Sequence, residues 1–472
     1  MILNVLEKST DKSSFEKLPF DKLLDQKLKG KKFPISLMAA LIVIGLLISY
    51  SHNSSPAPFM ASIFEYFAMN PTTDQALANL SMSLFLLITI PATFIGTGLE
   101  QKIGTRNLFT IAMLLNTAGI LIVFLSPAGY GMYLVGRAIY GFGFGLAIPA
   151  LGSAIMRWYR PKSRRIMTTL NGMFPLFGAL ISFTLFPAIA QSADNWIFGH
   201  GFSGFITLAV LIIWLVAVRK DVDNIDIATE EEKYLGIVQT EEKINVVKWA
   251  LGTNQVRCIL IAFICDFTMY MYIATVLPLW LMTAGGMDEL TAGTWAAIAF
   301  PAFGVIGVIL GGIIINVTGK RKPVIVVCQF LKLIGVLIAC LGADVSVSAI
   351  IFGIALFGLG NGGWMPPMFL VPTEIPGTSA SKVAASYSVF MSAGFAAGFI
   401  MPVVGGLIAT SLIAGVVANG VTDEVVQLAY GYKWSVLILG FSHILAIIAA
   451  FALKETGPGK RKKELADEAS AA

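Results

Sequence analysis

The sequence predicts an all-α membrane protein of twelve transmembrane helices, arranged as two pseudo-symmetric six-helix bundles with both termini cytoplasmic. Three observations carry that prediction. The 472-residue chain is 56% hydrophobic and only 13% charged, against about 25% charged in an ordinary soluble domain. Its apolar residues gather in runs of about 20, the length that crosses a bilayer as a helix. Glycine, proline and basic landmarks of the first half recur in the second at a nearly constant offset.

The runs lie near 34–55, 75–98, 107–126, 131–156, 166–189, 203–219, 256–282, 292–316, 323–342, 347–372, 380–412 and 434–453. Of the 33 Lys and Arg residues, thirty fall in the two tails and in the even-to-odd loops; Arg137, Lys332 and Lys433 do not. The alternate loops hold no Lys or Arg between residues 52 and 432 but carry Glu65, Asp74, Asp194, Asp288, Glu289, Asp344, Asp423 and Glu424. Basic residues stay on the cytoplasmic side of a membrane, so both termini are placed inside.

The division that follows is a tail at 1–33, a six-helix bundle at 34–219, a linker at 220–255, a second bundle at 256–453 and a tail at 454–472. The linker has mixed charge and is read as solvated and partly helical. The first tail is lysine-rich with no short apolar core before a small-residue cleavage site, so a cleaved signal peptide is not expected. The four cysteines, Cys258, Cys265, Cys328 and Cys340, sit inside apolar runs and read as small packing residues. No GxxxxGK[ST] loop, metal cluster or Ser/His/Asp set is present in the sequence, so neither catalysis nor a cofactor is expected. The modest net charge of +5 gives no sign of nucleic-acid binding.

The fourth run contains the least ordinary stretch, RAIYGFGFGLAIP from Arg137 to Pro149. Each glycine within a helix costs about 1 kcal/mol relative to alanine, and Pro149 removes a backbone donor. Gly141, Gly145, Pro149 and Gly152 are spaced for one helix face, where small residues let another helix approach closely in lipid. Gly141, Gly143, Gly145 and Pro149 return as Gly358, Gly360, Gly362 and Pro366, an offset of 217. GTGLEQKIGTRN (Gly96 to Asn107) is matched by GGIIINVTGKRK (Gly311 to Lys322), with Gly104 and Gly319 offset by 215. Duplicated halves of this kind are a mark of transporters.

With these motifs the chain resembles the major facilitator superfamily from about residue 34 to 454. That family carries G-x-x-x-D-R-x-G-R-R after its second helix and an echo after its eighth. Here Gly312 to Arg321 resembles the echo, with Gly319 in place and Asn316 at the acid's position. The first copy keeps Gly104 and Arg106, with Gly96 at its head, and has Gln101 where an Asp is usual and Glu100 beside it. Arg137, Gly141, Gly143 and Pro149 resemble the family's fourth-helix pattern. The resemblance implies a central cavity lined by the first, fourth, seventh and tenth helices, alternating access, and a monomer.

Polar groups inside the runs are the candidates for binding and coupling. Arg137 has no repeat mate, since Ile354 stands at the matching position. A charge in a span costs at least about 2.5–3.5 kcal/mol, so it is read either as a group for anion attraction or proton-coupling electrostatics, or as a snorkelling helix-end residue. Asp266, mid-way through the seventh run, is read either as a group that carries a proton in one state and releases it in the other or as a carboxyl satisfied by a neighbouring helix, and Tyr270 lies one turn on. The resemblance implies that Arg137 and Asp266 both face the cavity. His52 and Asn53 end the first run, as a gate or as interfacial residues. Asn361 and Trp364 in the tenth run, and Tyr387 in the eleventh, suit a solute's hydrogen bonds and apolar surface. Lys332 is read as snorkelling or structurally paired in preference to a substrate role, and Glu374 as part of an inner loop.

The expected function is secondary active transport of a small molecule across the cytoplasmic membrane, coupled to a proton, an ion or an exchanged solute. A small organic or inorganic anion is favoured on account of Arg137. The segment from Glu374 to Gly406 is also similar to cyanate- and nitrate-type members of the family. Efflux of lipophilic compounds is the alternative, although LNGMFPLFGALIS in the fifth run lacks the G-x-x-x-G-P-x-x-G-G pattern of drug exporters. A membrane sensor without net flux is a third reading, set against the short tails and loop.

Overall fold

The structure is a computed structural model that describes residues 35–218, 222, 226–235, 245–376, 378 and 380–457. The tails read at 1–33 and beyond 457, and much of the linker, lie outside the described residues. Among the described residues every regular element is helical.

The twelve spanning elements, in chain order, are α1 (Ile35–Asn53), α2 (Gln75–Ile103), α3 (Thr105–Leu121), α4 (Tyr130–Trp158), α5 (Pro161–Ala193) and α6 (Trp196–Ala217), then α7 (Asn254–Gly285), α8 (Glu289–Thr318), α9 (Lys322–Leu341), α10 (Val347–Gly363), α11 (Ala380–Ala418) and α12 (Glu424–Ala452). In the last eleven the helical stretch is long and apolar enough to cross a membrane, with α3 counted on to Ala128 and α10 on to Glu374, and α1 precedes them with 19 residues. Within the linker, Ile227–Leu235 and Val246–Gly252 are short helices. The halves α1–α6 and α7–α12 are the two bundles.

Helices α6 and α12 begin well before the apolar runs do. Asn195 caps α6 by accepting from Ile197 and Phe198 N–H groups at 2.9 and 3.3 Å, which draws His200 into the helix. Asp423 caps α12 in the same way, accepting from Val425 at 2.9 Å. Lys433, which interrupts the apolar run, is held inside α12 by Asp344 of the α9–α10 loop. A hydropathy pattern sees the buried polar residue and not the cap.

The alternate glycines of α4 serve two neighbours at once. A Cβ on Gly145 would stand 2.6 Å from Ala92 of α2, and one on Gly141 would strike the backbone of Phe85. Gly143 faces the other way, where a Cβ would lie 2.6 Å from Asn116 Oδ1 of α3. The second half repeats this: Gly358 and Gly362 press on Phe300 and Gly304 of α8, and Gly360 on Cys328 of α9. Two-residue spacing therefore puts small residues on opposite faces of a helix wedged between two others. Gly96 packs on Pro149, and its repeat mate Gly311 packs on Gly363.

Two points depart from the sequence reading. A Cβ added at Gly152 would meet no atom within 4 Å, so Gly152 is not part of the packed face; one at Gly312, the head of the echo motif, also meets open space. Pro149 sits inside a continuous α4, whereas α10 stops at Gly363 and Pro366 opens the separate helix Met365–Leu370.

Gly104 and Gly319 end α2 and α8 with positive φ, 83° and 65°, which glycine adopts without the steric penalty of a side chain. Beyond them the cytoplasmic ends are tied by charge. Arg106 donates from Nε to the Val218 carbonyl at 2.6 Å. Glu100, beside the Gln at the expected acid position, pairs with Arg157 of α4 at 3.6 Å. Arg321 makes a forked pair with Glu374 at 2.7 Å, so Glu374 is a lock residue and not a plain loop acid. Asn316 is exposed on α8.

Candidate functional site

Among the described residues, hydrogen bonds join the two halves at their outer ends. Gln75 of α2 donates to Tyr432 Oη of α12 at 2.7 Å, Asn79 donates to the Pro402 carbonyl of α11 at 2.8 Å, and Ser62 donates to Glu289 at 3.3 Å. Below this closure a cavity of about 160 Å³ lies between the bundles. Its wall comes from α1 (Tyr50, Asn53, Ser54), α4 (Phe144), α7 (Phe263, Asp266, Phe267, Tyr270) and the α10 region (Asn361, Trp364, Met365, Met368), as the family pattern implied. Phe85 of α2, Pro175 of α5 and Phe395 of α11 complete it. The wall is mostly aromatic and thioether surface with few polar groups, the usual make-up of a site for a small solute.

Asp266 is the one ionisable carboxylate on that wall. Its Oδ1 accepts from Lys332 Nζ of α9, whose side chain is fully buried, and its Oδ2 accepts from Gln329 at 3.2 Å. Gln329 and Lys332 are three residues apart, on one face of α9, so one helix supplies both donors. Lys332 stands behind Asp266 and over the Trp364 ring, 4.4 Å from its centroid. The lysine thus takes the paired alternative and does not snorkel. His443 of α12 closes the group from the side away from the cavity, its Nδ1 3.6 Å from Asp266 Oδ1.

On the same wall, the Asn361 side-chain nitrogen is buried and has no hydrogen-bond partner. Buried amides are normally satisfied, so Asn361 is a donor facing the cavity with its hydrogen bond unspent. Tyr270 packs on Phe267 and Phe300, with ring centroids 5.8 and 5.2 Å away.

Arg137 is placed differently from the expectation. It does not line the cavity: it lies behind Phe85 and Tyr140, 5.0 and 5.3 Å from their ring centroids, and is 1% exposed. Its Nε donates to the Ser81 carbonyl at 2.6 Å, and its two terminal nitrogens to the His52 and Asn53 carbonyls at 2.7 and 3.1 Å. Those two carbonyls end α1, where four carbonyls have no partner within the helix. The guanidinium therefore caps α1 and binds α1, α2 and α4 together. Among the described residues no carboxylate lies within ion-pair distance of it, and it neither snorkels nor opens onto the cavity.

A family model for the major facilitator superfamily matches residues 42–402 and 259–471. The chain belongs to the major facilitator superfamily. Its members are transporters, not enzymes. The chain is 25% identical over 299 residues to a probable galactarate/D-glucarate transporter of Escherichia coli (strain K12), covering 58% of this chain and 64% of that protein. It is 27% identical over 192 residues to an uncharacterised transporter of the same type from Bacillus subtilis (strain 168), covering 40% of this chain and 34% of the relative. The matched stretches thus span a third to just under two thirds of these relatives. Among solved structures, a bacterial homologue of the human lysosomal transporter Spinster, in an inward-facing and unoccupied conformation, superposes with a TM-score of 0.71 at 15% identity over 90% of this chain and 98% of that one. A D-xylose–proton symporter superposes at 0.68 with 14% identity, over 90% and 98% of the two chains. These likenesses speak for the fold.

Within this superfamily fold the remaining candidates separate. Asn53 reaches the cavity, while His52 is buried behind it, its Nδ1 3.1 Å from Ser55 Oγ and its ring edge-on to His200 at 4.7 Å. Tyr387 donates to the Phe369 carbonyl and packs on Phe390, off the cavity wall. Gln329 and His443 are the residues the sequence reading passed over. Gln329 is legible once Asp266 is taken to need donors, because it lies one turn before Lys332. His443 is one of three histidines and sits inside the last apolar run, yet nothing in its local sequence links it to Asp266, 177 residues away.

Proposed function

We propose that this secondary transporter moves a small organic anion across the cytoplasmic membrane, with a proton carried by Asp266 as the coupling ion. The observation that carries the reading is the pairing of Asp266, on the cavity wall, with Lys332 buried behind it. A buried ion pair tolerates the loss of one charge only if the other is compensated. A substrate carboxylate that takes Lys332 leaves Asp266 unpaired, and a proton then neutralises it. Lys332 replaces Arg137 as the cation for the anion, and the orphan Asn361 amide donates to a second substrate oxygen. The named galactarate/D-glucarate transporter relatives support a carboxylate substrate. The protein is taken to work as a monomer.

The test is thermal unfolding of the purified protein with D-glucarate, galactarate, simpler mono- and dicarboxylates, sugars and lipophilic cations. A ligand at a hundredfold excess over its dissociation constant adds about 2.7 kcal/mol. A rise with one class of carboxylate that vanishes in Lys332→Met supports the proposal. The aromatic and methionine lining favours a second reading, export of lipophilic compounds, and shifts confined to lipophilic cations would replace the first with it.

A further inference from the structure

His443 has no place in the coupling scheme above, yet it lies against its centre. The side chain is fully buried, and neither ring nitrogen has a hydrogen-bond partner. Nδ1 is 3.6 Å from Asp266 Oδ1, the oxygen that also accepts from Lys332. Phe357 covers one face of the ring at 5.6 Å. A buried imidazole leaves at least one N–H and one lone pair unsatisfied here, which is unfavourable. An unsatisfied buried group of this kind calls for an explanation.

The alternative is a histidine that fills space in α12. Space alone does not explain a ring whose Nδ1 stands 3.6 Å from a carboxylate oxygen of the cavity wall. The titratable and charged groups that face it are Asp266 from α7 and Lys332 from α9, with the Cys265 and Cys328 thiols beside that pair. With Lys332 engaged by Asp266, a second cation at His443 would be repelled. With Lys332 drawn to a substrate anion, the place beside Asp266 falls vacant, and His443 is the group already next to it.

We infer that His443 is a positioning residue for the coupling step, sharing one proton with Asp266 whenever Lys332 leaves that carboxylate. In the resting arrangement the group holds a carboxylate, an ammonium and a neutral imidazole. When a substrate carboxylate takes the ammonium, one proton enters from the open side and bridges Asp266 and His443. The Asp266–His443 unit is then neutral, whichever atom holds the proton, and so is the Lys332–substrate pair. Release of substrate returns Lys332 to Asp266, and the proton leaves on the other side. One proton moves for each carboxylate, and no charge is left bare in the apolar interior. The inference rests on Asp266 being the coupling acid.

The experiment uses the full chain in detergent, labelled with ¹⁵N-histidine, and needs no substrate. The chain has three histidines, so three imidazole signals are assigned by His52→Gln, His200→Gln and His443→Gln. Lys332→Met supplies the arrangement in which the lysine has left. In Lys332→Met the His443 signal is expected to titrate between about pH 5 and pH 8, and its midpoint to move by about one pH unit or more when Asp266→Asn is added. The His52 and His200 signals serve as internal controls for folding. A His443 signal that stays neutral throughout in Lys332→Met, or one that titrates identically with and without Asp266, overturns the inference. Uphill transport that survives Asp266→Asn would instead remove the coupling acid itself, so the two failures are told apart.

Discussion

Lys332 of α9 and Asp266 of α7 form an ion pair wholly inside the protein, with side-chain exposures of 0% and 3%. Removing one partner of such a pair strands a charge and costs about 3–5 kcal/mol, whereas replacing both by apolar groups is often neutral. Lys332→Met alone is therefore expected to lower the unfolding midpoint sharply, and Asp266→Leu added to it to restore most of the loss. The check is a double-mutant cycle by thermal unfolding in detergent. Additive losses would show that the two residues do not depend on each other.

Arg137 is expected to act on stability and not on ligand affinity. Its donors satisfy the Ser81, His52 and Asn53 carbonyls, and hydrogen bonds from a charged donor contribute about 1.5–3 kcal/mol each. Arg137→Ala should destabilise by at least about 2 kcal/mol, and Arg137→Lys should recover little, because an ammonium lacks the planar fork that spans three carbonyls. Ligand-induced thermal shifts in the folded fraction should match those of the parent protein. A selective loss of anion response would return Arg137 to the binding site.

The glycines divide into packed and open positions. A Cβ on Gly362 would strike the Gly304 carbonyl, and one on Gly307 the Leu359 carbonyl. Gly362→Ala and Gly307→Ala should each cost about 1–3 kcal/mol through overpacking. Gly152→Ala and Gly312→Ala meet open space and should be neutral or stabilise by up to about 1 kcal/mol, the difference in helix propensity. Unfolding midpoints of the four variants decide it, and equal effects at all four would discard the packing argument.

The outer closure rests on a few hydrogen bonds between the halves. Tyr432→Phe removes the acceptor that Gln75 meets on the other half and leaves its bond to the Pro71 carbonyl, and Asn79→Ala frees the Pro402 carbonyl. Each is expected to raise the population open to the outside by about fivefold for ~1 kcal/mol of lost bonding. A cysteine at Ala76, which faces Gly406 across the closure, reports this through its rate of labelling by a membrane-impermeant maleimide. The native cysteines are buried and give little background. Unchanged labelling would mean that the closure is held by packing alone.

Much of this architecture was legible in the sequence because a bilayer enforces it. Length and apolarity mark the spans, and basic residues mark the inner side, for reasons that act locally along the chain. Gly141 and Gly145 were legible as close-packing residues from spacing, whereas Gly152 on the same face meets open space and Gly143 serves a second neighbour that the spacing did not show. The site was half legible. Asp266 stands out as a lone acid in an apolar run, but Lys332 is 66 residues on and His443 is further still. A local pattern gives no sign of which buried charge meets which. Arg137 misled for the same reason: its partners are backbone carbonyls, and no side-chain pattern records them.

The most direct test of coupling through Asp266 is uptake into proteoliposomes of whichever anion gives the largest thermal shift, under an imposed pH gradient. The parent protein should accumulate it against its own gradient, while Asp266→Asn should exchange it across the membrane at a comparable rate without accumulation. Accumulation by Asp266→Asn equal to that of the parent would contradict the central claim.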